Sequence, residues 1–74
     1  MWRGFPQAVA EQRALRLASE EAPGLRAVVH NSHLSGIEWT VRLWLFDAAS
    51  LEPREAVAHV RATDGEPLAF ETLA

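Results

Sequence analysis

The segment Ile37–Asp47, with the sequence IEWTVRLWLFD, has the clearest β-strand pattern in the chain. Its apolar residues recur at every second position, which places them on one side of a strand: Ile37, Trp39, Val41, Leu43 and Leu45. The other side is polar at first and ends in two aromatic residues, Trp44 and Phe46. The segment therefore predicts a core on one side of a sheet and a second apolar contact on the other.

The size of the chain allows one small domain, residues 1–74. A chain of this length buries only about 60% of the surface that its unfolded form exposes, so marginal stability is expected, and dimerisation would add to it. Apolar residues make up 49% and charged residues 23%, which is typical of a globular domain and not of a disordered one. Since there is no cysteine, disulfides and cysteine-based zinc sites are excluded.

The charge pattern does not favour nucleic-acid binding, because ten acidic residues outnumber seven basic ones and the basic residues form no cluster. All seven are arginine, and thirteen residues are alanine, a bias that indicates a GC-rich bacterial coding sequence. The N-terminus lacks the apolar stretch of a signal peptide, and no run of roughly 18 apolar residues could span a bilayer. We therefore expect a cytoplasmic protein without membrane contact.

The N-terminal part of the chain has the pattern of a helix, from about Pro6 to Ala22. Proline suits the first helical turn, where its missing N–H has no partner to lose. Small and apolar residues follow at helical spacing and form one stripe: Ala10, Ala14, Leu17 and Ala18. The helix is expected to end at Pro23-Gly24, since proline cannot continue it and glycine tolerates the left-handed turn that follows.

Beyond Gly24 the apolar period changes to two, which is typical of strands. The pattern predicts four of them: Leu25–His33, Ile37–Asp47, Glu55–Thr63 and Leu68–Leu73. Turn residues separate them, with Ser35-Gly36 after the first and Asp64-Gly65 as a tight hairpin before the last. The predicted fold class is α+β, with one N-terminal helix packed on an antiparallel three- to four-stranded meander.

Catalytic, cofactor and metal sites are not predicted. His30 and His33 lie on opposite faces if their strand continues and on the same side only if it bends, and no clear third ligand accompanies them and His59. No serine lies in a G-x-S-x-G elbow, and the carboxylates fall on the helix, the turns and the strand surfaces. We expect neither an enzyme nor a cofactor.

The aromatic end of the second strand is the candidate interaction site. Its cover is either the chain's own N-terminal segment Met1–Phe5 or loop Ala48–Pro53, or else a second copy or another protein; a small apolar ligand is a further alternative. If the second and third strands pair, two more residues join the stripe. The candidate protein-interaction residues are Trp44, Phe46, Val57 and His59.

Three features resemble the PepSY family, whose members are small helix-plus-antiparallel-sheet domains found in peptidase propeptides and as free-standing bacterial modules. These are the alanine-rich helix closing on Pro23-Gly24, the segment Gly36-x-x-Trp39-x-Val41, and the segment Val60-x-Ala62-Thr63-Asp64-Gly65-Glu66-x-Leu68, similar to the family's closing hairpin. The resemblance implies a non-catalytic interaction or inhibitory module. We therefore expect a protein-binding domain, acting as a homodimer; the alternative is a domain that holds a small apolar ligand between helix and sheet.

Overall fold

A computed structural model describes residues 7–49 and 52–73. These residues form helix α1 (Gln7–Glu21) and strands β1 (Arg26–Ser35), β2 (Glu38–Phe46), β3 (Arg54–Arg61) and β4 (Pro67–Thr72). The strands pair antiparallel in chain order, β1-β2-β3-β4, and α1 contacts all four. The predicted α+β fold is confirmed; the expected first helical residue, Pro6, lies outside the described residues. No helix of the described ranges is long and apolar enough to cross a membrane.

Close approach between α1 and the sheet defines the core. The buried stripe of the helix consists of Ala10, Ala14 and Ala18, whose exposed fractions are 0%, 0% and 1%. Because alanine projects only a methyl group, the helix backbone lies close to the strands and the large core side chains come from the sheet. The largest fully buried ones are Leu43, Leu45, Val41 and Val60.

The inner side of β2 follows the predicted alternation with one exception. Trp39, Val41, Leu43 and Leu45 are buried, whereas Ile37 is 63% exposed. β2 begins at Glu38, so Ile37 belongs to the preceding turn, and its expected place in the core is wrong. Its carbonyl oxygen accepts a hydrogen bond from the backbone N–H of Ala62, which ties this turn to the end of β3.

β3 and β4 form the predicted antiparallel hairpin, but its connection is a loop of five residues, 62–66, longer than the tight turn expected at Asp64-Gly65. The backbone N–H of Arg61 donates to the Glu66 carbonyl at 2.9 Å, and the N–H of Gly65 donates to the Arg61 carbonyl at 2.8 Å. The Asp64 carboxylate accepts the Glu66 N–H at 3.1 Å. Gly65 has the expected positive φ, +74°, which glycine adopts without steric cost.

A β-bulge interrupts β1 at His30. Val29 pairs with Leu43 and Asn31 pairs with Arg42, so His30 is an extra residue with no partner in the register. The bulge resets the alternation: Ser32 lies opposite Val41 and faces the helix, while His33 lies opposite Thr40 on the other side.

The start of α1 is anchored on the helix side of β1. The side-chain amide of Gln7 donates to the Ser32 hydroxyl at 2.5 Å, and that hydroxyl donates to the Glu11 carboxylate at 2.7 Å. Since Ser32 lies opposite Val41, the first turn of the helix lies above the β1–β2 pair, at a level five residues along β2 from Phe46.

Candidate functional site

The sheet has one side covered by α1 and another that no described element covers; we call the second side the outer face. The pairing registers define its members strand by strand. They are Arg26, Val28, His30, Asn31, His33 and Ser35 from β1, Glu38, Thr40, Arg42, Trp44 and Phe46 from β2, Glu55, Val57, His59 and Arg61 from β3, and Ala69 and Glu71 from β4.

An apolar area occupies one end of the outer face, and we call its four residues, Val28, Trp44, Phe46 and Val57, the aromatic patch. Val28 lies directly opposite Trp44, and the two are neighbours on the surface. Val28 is 38% exposed and Phe46 41% exposed, while Val57 is 8% exposed. Large apolar side chains are therefore open to solvent on the side of the sheet that faces away from the core.

A polar cluster of His30, Glu55 and Arg42 borders the aromatic patch. The imidazole of His30 stacks on the Trp44 indole with ring centroids 4.7 Å apart and planes inclined by 24°. One carboxylate oxygen of Glu55 lies 3.0 Å from Nε2 of His30 and accepts a hydrogen bond from Nη1 of Arg42 at 3.1 Å. The Arg42 hydrogen bond, followed by that of His30, lowers the pKa of the Glu55 carboxyl below its ordinary value, so it is ionised at neutral pH.

The histidine of β3 has separate surroundings near the middle of the outer face. Nδ1 of His59 lies 2.5 Å from Oε2 of Glu38, and Nε2 lies 3.8 Å from Oε1 of Glu71. His59 pairs with Thr40, six residues from Phe46 along β2, which corresponds to roughly 20 Å.

The four residues that the sequence singled out thus share one face, but they do not form one continuous stripe. Trp44 pairs with Glu55, so Val57 is its diagonal neighbour, one step further along β3. His59 lies beyond Val57 and is bonded to acidic residues, away from the aromatic end. The aromatic patch is therefore Trp44 and Phe46 with Val28 and Val57, while His59 belongs to a polar region beside it.

Among the described residues, the histidine–carboxylate pairs of the outer face lie outside the two grooves that could shelter acid–base chemistry. Both histidine–carboxylate pairs lie on the open strands, whereas the grooves of about 220 Å³ and 210 Å³ run between α1 and β4, lined in common by Leu17 and Pro67. In residues 7–49 and 52–73 no group of three histidine, aspartate or glutamate side chains is placed to hold a metal ion. His30 and His33 do share a side, because the bulge shifts the alternation between them; His30 stacks on Trp44, whereas His33 lies opposite Thr40.

Sequence reasoning missed the partners of Trp44. The two-residue period through Ala27 and Val29 already places Val28 and His30 on the outer side, which is a signal that could have been used. The convergence of His30 and Arg42 on Glu55 depends on the register between three strands, and no local pattern in the sequence encodes it.

Comparisons with models of protein families, with curated proteins and with solved structures find no match to this chain.

Proposed function

We propose that this chain is a small non-catalytic protein-interaction module that self-associates as a homodimer through the outer face of its sheet. The observation that carries the proposal is the aromatic patch, which lies open on the side of the sheet opposite the helix. Contiguous exposed apolar surface on a small domain marks an interaction site, and aromatic residues are enriched in the buried centres of interfaces.

The anchored start of α1 limits how much of the patch the chain's own N-terminus can cover. The predicted covering segment, Met1–Phe5, lies outside the described residues, and Gln7 is anchored to Ser32 on the helix side. From the level of Ser32, Phe46 lies five residues, roughly 17 Å, along β2 and on the opposite side of the sheet. Six residues span at most about 20 Å, so Phe46 lies at the limit of their reach, whereas a second molecule is not limited in this way.

Loop 48–53, the other internal candidate, leaves the patch open where it is described. Ala48, Ala49, Glu52 and Pro53 are exposed, and residues 50 and 51 lie outside the described ranges. Phe46, the patch residue nearest to this loop in sequence, keeps 41% of its surface accessible.

The charges of the outer face permit contact between two identical surfaces. Three arginines and three glutamates lie among its strand residues, so that it carries no net charge when histidine is neutral: Arg26, Arg42 and Arg61 with Glu38, Glu55 and Glu71. A two-fold interface brings the same surface together twice, and a surface of one sign would repel itself. This balanced surface can instead pair arginine with glutamate between copies.

The size of the outer face sets the expected affinity. Four strands about 4.8 Å apart and about eight residues long, at roughly 3.4 Å per residue, give roughly 500 Å² per copy. The resulting total of about 1,000 Å² is at the small end for specific interfaces, where complexes are weak or transient. We therefore expect dissociation in the micromolar range, and the mass in solution must be measured over a series of concentrations.

The test compares two substitutions at sites of equal exposure on opposite sides of the sheet. Phe46 and Leu34 are both 41% exposed, but Leu34 lies opposite Trp39 on the helix side. Phe46→Glu removes an aromatic side chain from the patch and places a charged one there, so it should give a monomer in sedimentation or light scattering, as should Trp44→Ala, whereas Leu34→Glu should retain the dimer.

Two results would contradict the homodimer. One is a wild-type chain that keeps the monomer mass up to roughly 1 mM, because a dimer with a micromolar dissociation constant would be almost fully associated at that concentration. The other is equal dissociation of Leu34→Glu and Phe46→Glu, which would show that contact does not involve the outer face.

A regulatory or inhibitory role is the narrower form of the proposal, and the motifs similar to the PepSY family support it. In that role the regulated protein replaces the second copy on the same face. The test is the residual activity of purified peptidases titrated with the module; inhibition that Phe46→Glu abolishes supports the role. Unchanged peptidase activity contradicts this narrower proposal and leaves the homodimer to its own test.

The alternative of an apolar ligand held between helix and sheet is confined to the grooves between α1 and β4, whose volumes of about 220 Å³ and 210 Å³ are below the roughly 300–1,000 Å³ of ordinary ligand pockets. The helix methyl groups at Ala10, Ala14 and Ala18 fill the space over the strands and are at most 1% exposed.

A further inference from the structure

All three histidines of the chain lie on the outer face. His30 and His33 come from β1, on either side of the bend that the bulge produces, and His59 comes from β3. Histidine is the side chain whose charge ordinarily changes between pH 5 and 8, so the consequence of an added positive charge depends on the groups around each position.

His30 is the histidine in contact with the aromatic patch. Its ring covers part of Trp44, and its side chain is 28% exposed. The charged groups around it are Glu55 of β3 and Arg42 of β2, with Arg26 further along its own strand; α1 lies on the other side of the sheet. A partner seated on the patch would therefore remove His30 from water together with Trp44.

The charge balance at His30 depends on its protonation. Glu55 is a single carboxylate that already pairs with Arg42, so the cluster is neutral while His30 is neutral. Protonation leaves one uncompensated positive charge beside the patch on each copy. Burying such a charge in an interface costs desolvation energy, and in a two-fold interface the two excess charges repel each other.

We propose that protonation of His30 weakens self-association through the outer face, so that the homodimer of neutral pH dissociates as the pH falls through the histidine range. This inference rests on the proposed homodimer.

His59 provides the contrast, because its neighbours have the opposite sign. It lies between Glu38 and Glu71, and protonation there reduces an excess of negative charge. His59 is also roughly 20 Å from Phe46 along the strands. A substitution at His59 therefore removes a titrating group from the same face without touching the charge balance of the aromatic patch.

The size of the effect follows from proton linkage. If each copy must release one proton, the dissociation constant rises at most about 100-fold for each unit by which the pH falls, and the range to examine is about pH 7.5 to about pH 5.5, where histidine ordinarily changes its charge. If the dimer can form with some of its His30 side chains protonated, the dissociation constant rises by less, and we expect a rise of at least about 10-fold across the range. The response must persist at moderate salt, since desolvation of the buried charge is not screened.

The experiment is analytical ultracentrifugation of the full chain across this pH range, with His30→Gln and His59→Gln as a matched pair. Glutamine can still donate a hydrogen bond to Glu55 but does not titrate. The dissociation constant of His30→Gln should change less than about 3-fold over the range, while His59→Gln should keep the wild-type response. Far-UV circular dichroism at each pH distinguishes dissociation from unfolding.

The outcomes separate the two proposals. A wild-type dimer whose dissociation constant is independent of pH overturns the role of His30 and leaves the homodimer standing. A His30→Gln dimer that keeps the full response overturns it too, because the titrating group is then elsewhere. A chain that is monomeric at every pH contradicts the homodimer itself.

Discussion

The alanine contact between α1 and the sheet can be tested with one enlarged side chain. Ala14 is fully buried in the same cluster as Val41, Leu43 and Ala58, each of which is also 0% exposed. Ala14→Leu adds three carbon atoms where no space is open. The helix must then move away from the strands or its neighbours must leave their preferred rotamers.

The magnitude follows from the density of this packing. Inserting extra carbon atoms into a close-packed core costs about 1–3 kcal/mol. A chain of 74 residues has a free energy of unfolding of roughly 4–11 kcal/mol at 0.05–0.15 kcal/mol per residue, so this is a substantial fraction. At roughly 4–8 °C per kcal/mol for a domain of this size, the midpoint of thermal unfolding should fall by at least about 4 °C.

The matched control is Ala8→Leu, the same chemical change at an exposed position of the same helix. Alanine and leucine have similar helix propensities, so this variant should remain within about 0.5 kcal/mol of the wild type. Urea unfolding followed by circular dichroism, at one fixed protomer concentration, gives both values. Equal stability of Ala14→Leu and Ala8→Leu would refute the argument, because close approach would then not be what holds the helix on the sheet.

Two further substitutions test the turn at Gly36 and the ion pair at Glu55. Gly36 has φ +63° with nothing within 4 Å of an added Cβ, so Gly36→Ala should cost about 1–2 kcal/mol from backbone strain alone in urea unfolding. Gly36→Asn should recover part of that loss, since asparagine tolerates this conformation; an equal loss in both would contradict the explanation. Because the folded pKa of Glu55 is lowered, its contribution to stability is present above the ordinary value of 4.5 and is lost as the pH falls through the folded value. The stability difference between wild type and Glu55→Gln should therefore shrink as the pH falls below 4.5, and a constant difference would show that the ion pair does not stabilise the fold.

The sequence predicts the order of elements well because the apolar period changes once, at Pro23-Gly24. The helix face of Ala10, Ala14 and Ala18 and the inner side of β2 are both visible as periodic patterns, and burial in the structure follows them. Strand ends are less visible. Alternation of apolar residues extends back to Ile37, although strand pairing begins at Glu38. Periodicity alone does not show at which residue the hydrogen bonding between strands starts or ends.

Of the candidate site, the side on which Trp44 and Phe46 lie could be predicted from periodicity, and their neighbours could not. The run His30-Asn31-Ser32-His33 is polar throughout, so no apolar residue marks the change of phase that the bulge introduces. The length of the loop after Arg61 also differs from the prediction, because side-chain contacts that the local pattern does not show determine it. Asp64-Gly65 is typical of a two-residue turn, but the Asp64 side chain accepts the Glu66 N–H and stabilises a longer loop.

Because His30 has no partner in the β1–β2 register, its deletion would have a different effect from deletion of a paired strand residue. Val29 pairs with Leu43 and Asn31 with Arg42, so loss of His30 alone would leave an uninterrupted ladder between β1 and β2. Loss of a residue such as Val41, within a regular ladder, would turn the side chains beyond it to the wrong side of the sheet. His30 therefore occupies the position of an insertion that the fold does not need, and a deletion there could remove the histidine beside Trp44 without disturbing the core. At this position the polar cover of Trp44 can be gained or lost by insertion or deletion of one residue, as well as by substitution, while the β1–β2 pairing and the core stay the same.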